Sequence, residues 1–267
     1  MEKHRIELGE NGFTVFKSFF NEDFMLELGA SIDKSYQVCR DMQIKNGISE
    51  VTDGTVHHLP GTDDPNYIKL LEIVCKSPLY QFLTDFFSGN FILNTYGGVI
   101  NLTSKPSYVA NVHRDIRFFS GEFPLMINFL IMLDDFTIDN GATYLLAGSH
   151  KSTNKPSEKD FFNKSQRAVG KRGDILFFNS NLWHAAGINT SALPRRAITI
   201  AFTKPFMKQQ MDYPRLIGYD QIKMLDKELQ QVLGYFSRIP TNLSEWYQKP
   251  ENRFYRPDQD KEIKNEY

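Results

Sequence analysis

The stretch Asn111-Val112-His113-Arg114-Asp115 sets an imidazole and a carboxylate two residues apart, and a further histidine, His184, follows 69 residues after Asp115. Two imidazoles and one carboxylate can cap one face of a ferrous ion, leaving the opposite face for a cosubstrate and oxygen. On an extended segment residues i and i+2 point to the same side. His113 and Asp115 therefore converge while Arg114 faces away, and a distant strand has to bring the third ligand.

The surroundings of His184 fit that requirement. Gly173-Asp174-Ile175-Leu176-Phe177-Phe178-Asn179-Ser180 reads as a turn and a buried strand, which Leu182-Trp183-His184 continues after a polar break. The next strand, Arg195 to Phe202, alternates: Arg195, Ala197, Thr199 and Ala201 share one face, Arg196, Ile198, Ile200 and Phe202 the other. An arginine among small residues has room for a ligand, and its guanidinium fork matches a carboxylate. Position and facing favour Arg195 over Arg196, for which a surface salt bridge is the simpler role.

His113-Arg114-Asp115, Leu133-Asp134-Asp135, Asn140-Gly141-Ala142-Thr143, Ala147-Gly148-Ser149-His150, Gly173-Asp174 and His184 with Arg195 resemble the successive motifs of the phytanoyl-CoA dioxygenase family. The likeness is strongest from Gly97 to Phe206. It implies an α+β protein whose core is a double-stranded β-helix (a cupin-like jelly roll). It also implies iron(II) on His113, Asp115 and His184, and 2-oxoglutarate with its distal carboxylate on Arg195. The expected reaction is hydroxylation of a small metabolite or natural-product intermediate by oxygen, with release of succinate and carbon dioxide. Asp115 fills the position that halogenating relatives leave open for chloride. Two departures stand out: Ala186 where many relatives carry serine, and Asn128 where many carry tryptophan, which makes a more polar pocket wall.

Other polar residues are candidates of a second rank. Asn101 and Thr143 are expected to touch the cosubstrate, and His57, His58 and Asn128 the substrate, although each could equally satisfy backbone or solvent. His150 reads as a turn stabiliser and His4 as inert. Two other readings use the same residues. A zinc hydrolase could hold water on the three ligands, but it gives Arg195 no role. A silent binding barrel would leave the intact ligand set unexplained.

With 41% hydrophobic residues and 22 phenylalanines among 267, the chain can bury a large core. A formal charge of −1 writes in no attraction to nucleic acid or acidic membrane, so the expected partner is a small-molecule substrate. Cys39 and Cys75 suit reduced thiols in the cytoplasm. The first residues lack an apolar signal core, and no stretch approaches the ~20 apolar residues a membrane span needs. Oligomeric state stays open.

The pattern predicts one domain over residues 1–267, with a core at about 91–206 between helical flanks at about 21–88 and 220–236. In detail it gives a strand at 12–16, a helix from Glu22 into the forties capped by Asn21, a polar loop at 46–65 and one helix over 66–87. Strands then dominate to Phe202, interrupted at 151–170 by a charged stretch that reads as a mobile loop or lid. A helix at 220–235 and a charged end at 258–267 close the chain.

Overall fold

The computed structural model describes residues 1–103, 108–259 and 261. Two antiparallel sheets form the core. The larger has six strands in the order β1 (Phe13–Phe16), β7 (Ile175–Asn179), β4 (Met126–Met132), β9 (Arg195–Thr203), β3 (Ile92–Asn101) and β2 (Thr55–His57). The smaller orders β6 (Gln166–Arg167), β5 (Tyr144–Leu145) and β8 (His184–Ala185). This is the expected mixed α and β architecture with a jelly-roll core.

Alternation along the central strands separates two apolar layers. Ile127, Phe129, Ile131, Ile175, Phe177, Ile198, Ile200 and Phe202 point outward and pack under the helices. Leu130, Met132, Leu176, Phe178 and Ala197 point inward against Phe136, Ala142 and Leu145. Helix α2 (Glu22–Lys45) covers the outer layer with Phe24, Leu28 and Ile32, and Asn21 caps it by accepting from the Phe24 amide at 2.8 Å. Arg196 ties this helix to the barrel, reaching Asp33 with one nitrogen and the Asp134 carboxylate with two others, each at 2.8–3.0 Å.

Five expectations about elements need correction. An N-terminal helix, α1 (Glu2–Asn11), precedes β1; it buries only Leu8, so no apolar period announced it. Within it His4 is not inert, since its ring stacks on Phe16 and bonds Thr14. The polar loop at 46–65 contains β2, whose three residues are too few for a period to show. The helix over 66–87 is two, α3 (Pro65–Cys75) and α4 (Pro78–Phe87): Pro78 has no amide to continue α3, and Ser77 caps a new start by accepting from Leu79.

The charged stretch at 151–170 is not a free loop. It holds α5 (Glu158–Lys164), with Phe161 fully buried beside Trp183 and Ala185, and Ser152 and Asn154 accept from Arg114 and Trp183. The helix predicted at 220–235 is likewise broken. After α6 (Tyr213–Ile217) come α7 (Tyr219–Ile222) and α8 (Lys227–Val232), interrupted where Asp226 opens a new helix start. Of the charged end, Asp260 and residues 262–267 lie outside the described residues.

Candidate active site

His113 and Asp115 do not sit in a regular strand. His113 pairs with His184 as an isolated antiparallel bridge that extends the small sheet beyond β8, and the chain bends at Asp115. Nor does Leu182-Trp183-His184 continue β7. The chain turns at Ser180–Asn181 and crosses to the small sheet, where His184 pairs with Leu145. The alternation of side chains survives both irregularities. Nε2 of His113 and of His184 lie 3.6 and 3.7 Å from the same oxygen of Asp115, and the three donor atoms fall within 4.8 Å of one another.

Each imidazole is oriented by its other nitrogen. Nδ1–H of His113 donates to the Asn111 carbonyl at 2.7 Å, and Nδ1–H of His184 to the Leu182 carbonyl at 3.0 Å. A carbonyl only accepts, so both Nε2 lone pairs aim at the carboxylate. Three electron-rich atoms facing one another can hold a cation between them, and this donor set suits iron(II). Burial pushes the His184 imidazole down to about 4. At His113 burial is again the largest influence and acts in the same direction, but the facing Asp115 carboxylate and the Asn111 carbonyl together outweigh it and raise the pKa. Burial alone would raise Asp115; the facing His184 and His113 hold it below the usual carboxylate value.

The triad opens on a cavity of about 410 Å³ between the two sheets, within the range of small-molecule sites. Arg195 lines it from β9, on the face it shares with Thr199 and Ala201. The guanidinium is 2% exposed and stacks 3.9 Å over the Phe136 ring; its Nε reaches the Asn140 carbonyl at 3.3 Å, while Nη1 has no partner. Burial pushes it down to about 9, against the pull of Asp134 and with a further push from Arg167, so it is a cation at neutral pH.

The second-rank candidates divide. Thr143 and Asn128 line the cavity, and Asn128 donates to Ser180 at 2.7 Å. Asn101 does not line it: its amide donates to the carbonyls of Gly187 and Asn140, so it braces the loops around Arg195. Of the two neighbouring histidines, His57 lines the cavity and meets the Tyr108 hydroxyl at 3.4 Å. His58 turns away in a left-handed conformation (φ 58°) to bond Tyr213. Ala186 is in the wall. Sequence reasoning missed Asn94, Tyr108, Arg117 and Gln210, which also line the cavity. None of the four breaks a pattern in the sequence; Asn94 merely follows the apolar run Phe91 to Leu93.

Two imidazoles and a carboxylate converging inside a jelly-roll core form a candidate metal centre. The family described as phytanoyl-CoA dioxygenase (PhyH) matches residues 8–197, and the chain belongs to that family. It is 32% identical over 257 residues to the uncharacterized protein Rv1501 of Mycobacterium tuberculosis, covering 93% of this chain and 92% of that one. It is 30% identical over 145 residues to the dioxygenase sphC of Aspergillus fumigatus, covering 51% of this chain and 39% of that one. Among solved structures, AviO1 from Streptomyces viridochromogenes Tue57 shares the fold with a TM-score of 0.59 at 20% identity, over 78% of this chain and 96% of that one. EvdMO1 does so with a TM-score of 0.57 at 21% identity, over 76% and 50%. No helix among the described residues is long and apolar enough to cross a membrane.

Proposed function

We propose that this protein is an iron(II)- and 2-oxoglutarate-dependent dioxygenase that hydroxylates an unactivated C–H bond of a small metabolite or natural-product intermediate. The observation that carries the reading is the buried, partly unpartnered Arg195 cation in the same cavity as the triad. An uncompensated guanidinium away from water is costly, and a ligand carboxylate is the group that removes the cost. A zinc hydrolase has no use for that charge.

In this reading His113, Asp115 and His184 hold iron(II), and Arg195 pairs with the distal carboxylate of 2-oxoglutarate. Thr143 lies in the same wall and can donate its hydroxyl to the cosubstrate. Bound iron and 2-oxoglutarate supply oxidation of a C–H bond by dioxygen, with succinate and carbon dioxide as coproducts. The protein's own part is placement. The two carbonyl-anchored imidazoles fix the metal, Phe136 and Asn140 fix the guanidinium, and the apolar inner layer keeps bulk water from the reacting carbon.

Anaerobic titration of the iron(II) protein with 2-oxoglutarate tests this. A visible charge-transfer band, lost in His113→Ala and weakened in Arg195→Ala, is the expected result. A folded, iron-loaded protein that gives no band contradicts it.

A further inference from the structure

Two of the described residues that line the cavity carry a buried polar atom without a partner, and these atoms lie toward opposite ends of it. One is Nη1 of Arg195, a donor; the other is Oδ1 of Asn94, an acceptor. Arg195 pairs with Asn101 across β9 and β3, whereas Asn94 lies beyond the Thr95–Ala201 pair, so about six residues of strand, ~20 Å, separate the two levels. A cosubstrate held at Arg195 leaves Asn94 unanswered.

Asn94 is placed by a defect in β3. The register with β9 runs from Leu93–Phe202 to Thr95–Ala201 and skips Asn94, the extra residue of a β-bulge. Bulges of this kind re-aim a side chain next to a site. The residue is 2% exposed and clamped from one segment: Nδ2 donates to the Lys208 carbonyl at 3.0 Å, and its own carbonyl accepts from the Gln210 amide at 3.2 Å. Because Lys208 can only accept, the Asn94 amide has one orientation, with Oδ1 turned from that bond. On the other side of Ala201, Asn128 also lines the cavity and donates its amide to Ser180.

We propose that Asn94 anchors the substrate, and that the substrate carries a hydroxyl or amino group whose O–H or N–H is donated to Asn94 Oδ1. Assigning this end to substrate rather than cosubstrate rests on the oxygenase reading above; the hydrogen bond itself does not. A substrate with only ether, ester or hydrocarbon groups at this end leaves a buried acceptor unmet and is rejected.

The test needs neither iron nor 2-oxoglutarate, so its failure is separable from failure of the charge-transfer titration. ¹⁵N-labelled protein is titrated with cyclohexanol, cyclohexylamine and methoxycyclohexane, three fragments built on one ring of which only the first two are donors. The expected result is a saturable shift of the Asn94 side-chain amide by a donor fragment. Its affinity is at least tenfold, about 1.4 kcal/mol, above that for methoxycyclohexane. The tighter of the two donors tells alcohol from amine. Asn94→Leu abolishes the preference, and the wild-type comparison stands whether or not that variant folds. Equal affinity for all three fragments, no shift at Asn94 with any of them, or a preference that persists in folded Asn94→Leu overturns the proposal.

Discussion

His113 and His184 hold each other through the main chain. The His113 amide donates to the His184 carbonyl at 3.0 Å and the His184 amide to the His113 carbonyl at 2.9 Å, which brings the rings to a centroid distance of 4.3 Å. The bridge is backbone only, so its pairing does not depend on the imidazoles. His113→Ala and His184→Ala are therefore expected to keep the wild-type circular dichroism spectrum and to lose bound iron. Loss of the folded spectrum together with the metal would mean that the rings are structural.

Arg195 makes opposite predictions for the free and the liganded protein. Its charge is buried beside an aromatic ring with an unpartnered nitrogen. Replacing such a group by an apolar side chain of similar length removes a desolvation cost. Arg195→Met is expected to melt at the same or a higher temperature than wild type without ligand, and to lose the stabilisation that 2-oxoglutarate gives. A charge-assisted pair to a carboxylate is worth about 1.5–3 kcal/mol, roughly a tenfold to hundredfold fall in affinity. Melting curves with and without 2-oxoglutarate check both signs, and unchanged cosubstrate stabilisation would place the carboxylate elsewhere.

How far the sequence carried the site depends on which regularities survive folding. The two-residue spacing of His113 and Asp115 was enough, although neither lies in a true strand, because a nearly extended chain alternates its side chains anyway. The same alternation chose Arg195 for the cavity and left Arg196 to Asp134 and Asp33. What stayed hidden breaks the period or lacks one. The bulge moves Asn94 off the alternation, and β2 is too short to display it. The crossing of the chain after Ser180 is a tertiary event with no local signal.

The Asp134–Arg196 pair gives a pH dependence. Burial alone would raise the Asp134 carboxyl, but the bonds from the Arg196 side chain and amide, with Arg172 nearby, hold it below the ordinary 3.8. A depressed folded pKa means the unfolded chain takes up the proton first. The stabilisation is thus complete above the unfolded value and is lost as pH falls through the folded one. Asp134→Asn is expected to cost about 1–3 kcal/mol at neutral pH, and the gap from wild type to shrink below pH 4. Urea unfolding at pH 7 and pH 3 measures it; a gap that does not change with pH would deny the pair its electrostatic role.

Gly97 lets β2 bring His57 over the cavity. The two residues pair across β2 and β3, and a Cβ on Gly97 would lie 2.5 Å from the Val56 carbonyl and 3.3 Å from both His57 Nδ1 and Thr199 Oγ1. Backbone cannot yield to a contact of 2.5 Å, so β2 has to move away and carry His57 from the rim. Gly97→Ala is expected to destabilise the protein by about 1–3 kcal/mol, the usual range for an overpacked site. The sheet on the Arg195 side is held by Asn101 and β9 and does not pass through β2, so 2-oxoglutarate affinity should stay within a few-fold of wild type. Hydrogen exchange locates the damage: amides of 55–57 lose protection while those of 195–203 keep it. Equal loss in both strands would show that β2 is part of the central sheet's cooperative unit and that His57 cannot be moved independently of Arg195.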